Sequence, residues 1–100
     1  MIEPSVNPAQ STSRLLVSIS SYAEAILVQE SAVDILDIKN PEAGALGALP
    51  LEEIRRIVMA NHARKETSAT IGDVPMQPEE VACRVMEALA TGVGIVKIGL

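Results

Sequence analysis

The chain has 100 residues, a formal net charge of −5 and an apolar fraction of 48%. This length suffices for one small domain, and the acidic balance gives no general attraction for nucleic acid or anionic membranes. Aromatic residues are nearly absent, with one Tyr and no Trp or Phe. The core therefore has to be built from aliphatic side chains, as is usual in α/β proteins.

The N-terminal segment and the single cysteine bear on location. Residues 1–13 contain two prolines, many polar residues and no apolar periodicity, which predicts a flexible leader. This segment lacks the Lys or Arg residues and the apolar run of a signal peptide, and no stretch of the chain approaches the about 20 apolar residues of a membrane-spanning helix. Cys83 has no partner for a disulfide, and its apolar neighbours predict a buried packing role. We therefore predict a cytoplasmic protein.

Residues 14–100 alternate between strand-like and helix-like patterns. Short apolar runs predict strands at 14–19, 33–38, 68–71 and 95–98. Helices are predicted between them, from Ser21 to about residue 30, from Pro50 to about residue 61, and from Pro78 to a glycine cap at Gly92. Parallel strands joined by right-handed crossovers follow from this order, so the predicted fold class is α/β with four βα units.

Two helices carry more specific local signals. Ser21 and Glu24 have the spacing of a capping box, in which each side chain accepts a hydrogen bond from the other residue's backbone amide. In the third helix, the predicted apolar stripe consists of Val81, Val85, Met86 and Leu89.

Alternation along the strands predicts one apolar face and one face that becomes polar towards the C-terminal strand ends. The polar set is Ser18, Asp37, Lys39, Thr70 and Lys97. An apolar face against helices, with a polar cluster opposite, is typical of a (β/α) barrel, which places its chemistry at the C-terminal mouth.

Lys39 and Lys97 are the candidate catalytic residues of this face. A buried ammonium without a partner costs several kcal/mol, and Asp37, two residues before Lys39 on the same face, is its predicted partner. Two nearby ammoniums repel each other, so one tends to lose its proton and becomes nucleophilic towards a carbonyl. The alternative, that these lysines are solvated residues at strand ends, stays open at this point.

Other polar residues give weaker signals. Asp34 and Asp73 are predicted to be solvated boundary or loop residues, and His62 to be exposed near a helix C-terminus. One histidine and one cysteine far apart do not predict a metal site. Residues 40–47 match no nucleotide-binding pattern and are predicted to form a loop over the mouth of the barrel.

Four segments of the chain resemble one enzyme family in order and spacing. They read DILDIKNP at 34–41, GALGA at 44–48, SATIGDVP at 68–75 and VKIGL at 96–100. Together they are similar to the signature segments of the (5-formylfuran-3-yl)methyl phosphate synthases of methanofuran biosynthesis. The resemblance extends from about Arg14 to Leu100 and corresponds to the N-terminal half of that family.

The resemblance implies a (β/α)8 barrel and a lyase that condenses two molecules of glyceraldehyde 3-phosphate, with loss of phosphate and water. It implies no metal and no organic cofactor. It implies that Lys39 is the Schiff-base lysine, Asp37 its acid–base partner, and Lys97 a second active-site lysine. The implied partner is a small phosphorylated aldehyde, and neither nucleic acid nor a membrane is expected.

Family members are about twice as long, so residues 14–100 correspond to half of a barrel. The chain is then expected to be a fragment, one partner of a split protein, or a half that associates with its own copy or with a complementary half-barrel chain. Alone, as a monomer, it is expected to be inactive. Two other hypotheses stay open, namely a non-enzymatic half barrel that serves as a structural or binding subunit, and a different Schiff-base aldolase.

Overall fold

The computed structural model describes residues 13–44 and 47–99 of the chain. Within these ranges, helices and strands alternate as the sequence predicts, and the strand ends differ from the prediction by one or two residues. The strands are β1 (Leu16–Ile19), β2 (Ile35–Ile38), β3 (Glu66–Thr70) and β4 (Ile95–Lys97); the helices are α1 (Tyr22–Val28), α2 (Leu51–Asn61) and α3 (Pro78–Leu89); and a 3₁₀ turn spans Pro41–Ala43.

The four strands form one sheet in the order of the chain, and all neighbours are parallel. The register places Ser18 of β1 beside Asp37 of β2, and Asp37 beside Ser68 of β3. Sequential parallel strands connected through helices are the arrangement of consecutive βα units. The predicted α/β class with a four-stranded parallel sheet is therefore confirmed, and the sheet is compatible with half of a barrel.

One face of the sheet packs against α1 and α2 and forms the core. The buried residues that meet there are Ile19, Leu36, Ile38 and Ala69 from the strands, Ala25, Ile54 and Ile57 from the helices, and Val93 from the turn before β4. Burial of an aliphatic side chain of this size contributes about 1.5–3 kcal/mol relative to exposure. The aliphatic core expected from the composition thus lies between the sheet and these two helices.

The opposite face is not packed against these helices. Leu16 and Ile95 on this face remain 48% and 41% exposed, although both are large and apolar. Near the N-terminal ends of the strands, Arg14 and Glu66 form an ion pair at 2.8 Å. Towards the C-terminal ends the face is polar, and we call it the polar face; its residues are Ser18, Asp37, Lys39, Ser68, Thr70 and Lys97.

The start of α1 follows the capping-box prediction in one half only. The Ser21 hydroxyl is the N-cap and accepts a hydrogen bond from the Glu24 amide at 3.1 Å, as predicted. The Glu24 carboxylate, however, accepts from the amide and the hydroxyl of Ser20, at 2.7 Å and 3.1 Å, and not from the Ser21 amide. Ser20 offers two donors to one carboxylate oxygen, which explains why the reciprocal bond forms one residue earlier.

Helix α3 buries a different stripe from the predicted one. Val81 and Val85 are half-buried as expected, but the buried residue of the next turn is Ala88, whereas Met86 is 66% and Leu89 45% exposed. The prediction that Cys83 is buried is wrong, because its side chain is exposed. The buried stripe has the spacing 81, 85 and 88. Cys83 is two positions from Val81 and therefore points to nearly the opposite side of the helix.

The end of α2 is closed by the buried side chain of Asn61. Its amide donates to the Lys65 carbonyl at 2.7 Å, and its carbonyl oxygen accepts from the Lys65 amide at 3.2 Å. The two residues that follow, His62 and Ala63, both have positive φ angles, 50° and 59°. His62 is exposed at the C-cap, as predicted.

The predicted leader, residues 1–13, lies outside the described residues except for Ser13, and so do Ala45 and Leu46 of the predicted mouth loop. In the parts of the chain that are described, every helix is too short or too polar to cross a membrane.

We predict that Ala63→Gly stabilises the chain. An L-residue in the left-handed region is strained by roughly 1–2 kcal/mol, and glycine removes this strain at the cost of a more flexible unfolded state. The expected gain in the free energy of unfolding is about 0.5–1 kcal/mol, measured by urea denaturation. Ala60→Gly, three residues earlier inside α2, is the matched control and should destabilise by about 1 kcal/mol. Equal effects of the two substitutions would contradict the prediction.

Candidate active site

The polar face carries two successive rows of side chains near the C-terminal ends of the strands. The first row aligns Ser18, Asp37 and Ser68 across β1, β2 and β3. In the second row Thr70 lies beside Lys97, and Lys39 follows at the end of β2. Because residues two positions apart in a strand share a face, the predicted polar set lies together on this face.

Asp37 is the buried centre of the first row. The Ser68 hydroxyl donates to Oδ1 at 2.8 Å, and the Ser18 hydroxyl donates to Oδ2 at 3.3 Å. The Lys97 ammonium lies 2.5 Å from Oδ1. Both carboxylate oxygens therefore have donors, from three different strands, which is what a buried carboxylate requires.

These contacts decide the ionisation of Asp37. Burial raises the pKa of the carboxyl group, but the hydrogen bonds from Lys97 and Ser68, the positive charge of Lys97 and the hydrogen bond from Ser18 together outweigh burial. The net result is that the pKa of Asp37 lies below its usual value. The residue is accordingly a carboxylate at neutral pH.

The partner of Asp37 differs from the sequence prediction. The sequence predicts an ion pair with Lys39 on the same strand, but the pair forms with Lys97 from β4. Lys97 reaches Asp37 across the intervening strand β3, since β2 and β4 are not neighbours in the sheet. The long side chain of Lys97 makes this crossing feasible. Both oxygens of Asp37 are thus bound by donors from other strands, and neither is bound by Lys39.

Lys39 has a separate environment at the end of β2. Its side chain is half-buried beside a cavity of about 160 Å³ that Ser18, Ser20, Glu24 and Pro41 also line. Its amine forms no hydrogen bond and no ion pair with any of the residues described. An amine without an acceptor, next to a cavity, is available to a bound ligand.

The wall of this cavity is held by the contact between Ser20 and Glu24. The Glu24 carboxylate binds both donors of Ser20, which joins the end of β1 to the first turn of α1. This part of the cavity wall is thus fixed by the same bonds that begin the helix.

Comparison with known proteins connects this arrangement to one family. The family model described as 4-HFC-P synthase matches residues 15–100. The chain belongs to this family. The match includes every strand of the sheet and all the residues of the polar face.

Curated relatives carry a corresponding name. A (5-formylfuran-3-yl)methyl phosphate synthase from Methanopyrus kandleri is 45% identical over 87% of this chain, and one from Archaeoglobus fulgidus is 42% identical over 87%. A putative synthase of the same name from Methylorubrum extorquens is 42% identical. The matched segment covers 37% of the Methanopyrus kandleri and Archaeoglobus fulgidus relatives and 36% of the Methylorubrum extorquens relative. The chain therefore spans little more than a third of their length.

One residue of this family member's polar face was missing from the predicted set. Ser68 is 2% exposed and makes the shorter of the two serine contacts with Asp37. Alternation along the third strand already places Ser68 on the same face as Thr70, but it does not give the register that brings it beside Asp37. The strand pairing supplies that information.

Other candidate residues lie away from the site. Asp34 is exposed and its Oδ2 accepts from the Leu15 amide at 2.6 Å, so it joins β1 and β2 at their N-terminal ends. Asp73 and His62 are exposed, as predicted. Across residues 13–44 and 47–99, the His, Cys, Asp and Glu side chains form no group of three or more that could hold a metal ion.

Replacement of Asp37 should change how the stability of the chain depends on pH. A group with a lowered pKa in the folded state stabilises the fold above its unfolded pKa, about 3.9 for Asp, and this contribution is lost as the pH falls through the folded pKa. We expect the free energy of unfolding of the wild-type chain to fall on acidification below about pH 4, and to fall less in Asp37→Asn. At pH 7 this substitution should cost about 1–3 kcal/mol, because an amide cannot accept from all the donors present.

Urea denaturation at a series of pH values measures both effects. Asp73→Asn removes an equal charge from an exposed loop and controls for the change in net charge. Parallel curves for the wild type and Asp37→Asn would show that Asp37 does not carry this pH dependence.

Proposed function

We propose that residues 14–100 form the first part of a (β/α)8 barrel of TIM type, and that the whole barrel is a lyase of methanofuran biosynthesis. The proposed reaction condenses two molecules of glyceraldehyde 3-phosphate to (5-formylfuran-3-yl)methyl phosphate through a lysine Schiff base. The observation that carries this proposal is the Lys39 amine beside a cavity, with no partner among the described residues, in a member of the 4-HFC-P synthase family.

Lys39 is the proposed nucleophile. The nitrogen of the free-base amine adds to the carbonyl carbon of a triose phosphate to give a carbinolamine. Uptake of one proton and loss of water then give an iminium ion. The iminium withdraws electrons from the adjacent carbon, whose proton then becomes easier to remove. Lys39 suits this role better than Lys97, because the Lys97 ammonium is bound to Asp37.

Asp37 is the proposed acid–base residue. Its lowered pKa means that it begins the reaction as a carboxylate, and it can therefore accept a proton before it donates one. Its low basicity is a consequence of the Lys97 and serine contacts. Removal of the ammonium from the carboxylate would increase the basicity of Asp37.

Lys97 is the proposed anion-binding residue. Its side chain is 44% exposed, whereas that of Asp37 is 4% exposed, so Lys97 can reach a bound phosphate or a developing oxyanion. If a substrate anion draws Lys97 away, Asp37 becomes a stronger base when the substrate is present. Substrate binding and proton transfer would then be linked through a single ammonium.

The proposed barrel requires further strands. They would cover Leu16 and Ile95, the exposed apolar residues on the face of the sheet opposite the helices. These strands would be supplied by the rest of the protein, by a complementary chain or by a second copy of this one. The 100-residue chain as an isolated monomer should not turn over substrate. A cytoplasmic location remains a prediction.

Reductive trapping tests the role of Lys39. The chain is mixed with the part of the Methanopyrus kandleri relative beyond the matched segment, then with glyceraldehyde 3-phosphate or dihydroxyacetone phosphate, and reduced with borohydride. We expect a stable adduct on the peptide that contains Lys39, detected by mass spectrometry. Lys39→Arg keeps the positive charge but cannot form an imine, and it should give no adduct at this position.

Lys65 serves as the internal control, because its ammonium donates to the carbonyls of Ser31 and Val33, at 2.9 Å and 2.8 Å, away from the polar face. Modification of Lys65 to the same extent as Lys39 would mean non-specific reaction with aldehyde and would refute the proposed role. An adduct formed only with other aldehyde phosphates would favour a different Schiff-base aldolase. No adduct with any of them would favour a half barrel without catalytic function.

A further inference from the structure

Ser68 is the most firmly held of the three donors that surround Asp37. It lies within β3, its side chain is buried, and its register position is directly beside Asp37. A serine hydroxyl turns about a single carbon–carbon bond, and the strand fixes the position of that bond. The 2.8 Å contact with Oδ1 therefore joins two groups that both have little freedom.

The other two donors are held less firmly. Lys97 carries a long stem with four rotatable carbon–carbon bonds and is 44% exposed, so water or an anion can replace Asp37 as its partner. Ser18 is exposed, and its hydroxyl lies 3.3 Å from Oδ2, longer than the usual distance of about 2.5–3.0 Å for this type of hydrogen bond.

We propose that Ser68 is a positioning residue of the proposed lyase site, whose buried hydroxyl keeps the Asp37 carboxylate in place while Lys97 moves to an anionic substrate. This inference rests on the proposed function, because Lys97 is expected to move away from Asp37 only if the site binds an anion. It assigns no contact with substrate to Ser68, which acts through Asp37.

The charged groups around Asp37 are few enough for this effect to be isolated. Lys97 faces it from β4, and Lys39 follows it on its own strand. From β3, Glu66 lies one row below and is paired with Arg14. The neighbouring position on β1 contributes only the Ser18 hydroxyl.

Titration of the Asp37 carboxyl carbon by NMR tests the inference in the 100-residue chain. Samples labelled with ¹³C at aspartate are compared for the wild type, Ser68→Ala, Ser68→Thr and the matched control Ser18→Ala. Asp37→Asn identifies the resonance. We expect Ser68→Ala to move the titration midpoint to higher pH, Ser68→Thr to restore it because the hydroxyl returns, and Ser18→Ala to move it less than Ser68→Ala does.

The Lys97→Met variant reproduces the state in which Lys97 has left. In this background we expect Ser68→Ala to move the midpoint by at least as much as it does in the wild type, because Ser68 is then the one remaining donor to Oδ1 among the described residues. A smaller shift than in the wild type would mean that Ser68 acts only by holding Lys97, and it would overturn the inference. So would a Ser68→Ala midpoint equal to that of the wild type, or a larger shift in Ser18→Ala.

If Ser68→Ala does not fold, judged by the backbone amide spectrum, Ser68→Cys replaces it as a near-isosteric variant with a weak donor. The comparison with Ser68→Thr then decides in the same way. The titration uses no aldehyde, so failure of the trapping experiment at Lys39 would refute the proposed function without altering this result, and an unchanged midpoint would refute the role of Ser68 whether or not the adduct forms.

Discussion

The structure depends on how one buried carboxylate is satisfied. Asp37 lies in β2, an interior strand of the sheet, and a carboxylate there is costly unless donors surround it. Ser18 and Ser68 provide donors from the two neighbouring strands, and Lys97 provides a third from β4. A slip of one residue in either pairing would replace the serine beside Asp37 by a residue whose side chain belongs to the other face of the sheet. The same contacts therefore stabilise the charge and fix the register of the sheet.

Alternation along β2 separates the core from the site. Leu36 and Ile38 are fully buried against the helices, while Asp37 and Lys39 lie on the polar face. The helices α1 and α2 cover one face of the sheet only, so the other face can carry functional groups without disturbing the core. This division explains how the polar residues can be brought together in a chain so rich in aliphatic residues.

Much of the fold could be predicted from the sequence, because helices and strands are encoded by local patterns. The faces of the strands followed from alternation, which placed Asp37, Lys39 and Lys97 together. The pairing of Asp37 with Lys97 could not be predicted in this way, because it crosses a strand and depends on register and on the twist of the sheet. The prediction of the buried stripe of α3 was wrong for a related reason. Packing against neighbouring elements decides which of several apolar residues, such as Ala88 or Met86, is buried.

The two lysines differ in what holds them, and this difference orders their roles. The Lys97 ammonium has a carboxylate partner, whereas the Lys39 amine has none within the described parts of the chain. Asp37 is buried and is bound by donors from strands on both sides, whereas Lys97 is a long and partly solvated side chain. Movement of Lys97 breaks one contact that water can replace, whereas movement of Asp37 would break all three. Any response of this site to a charged ligand should therefore begin at Lys97 and leave Asp37 where the sheet holds it.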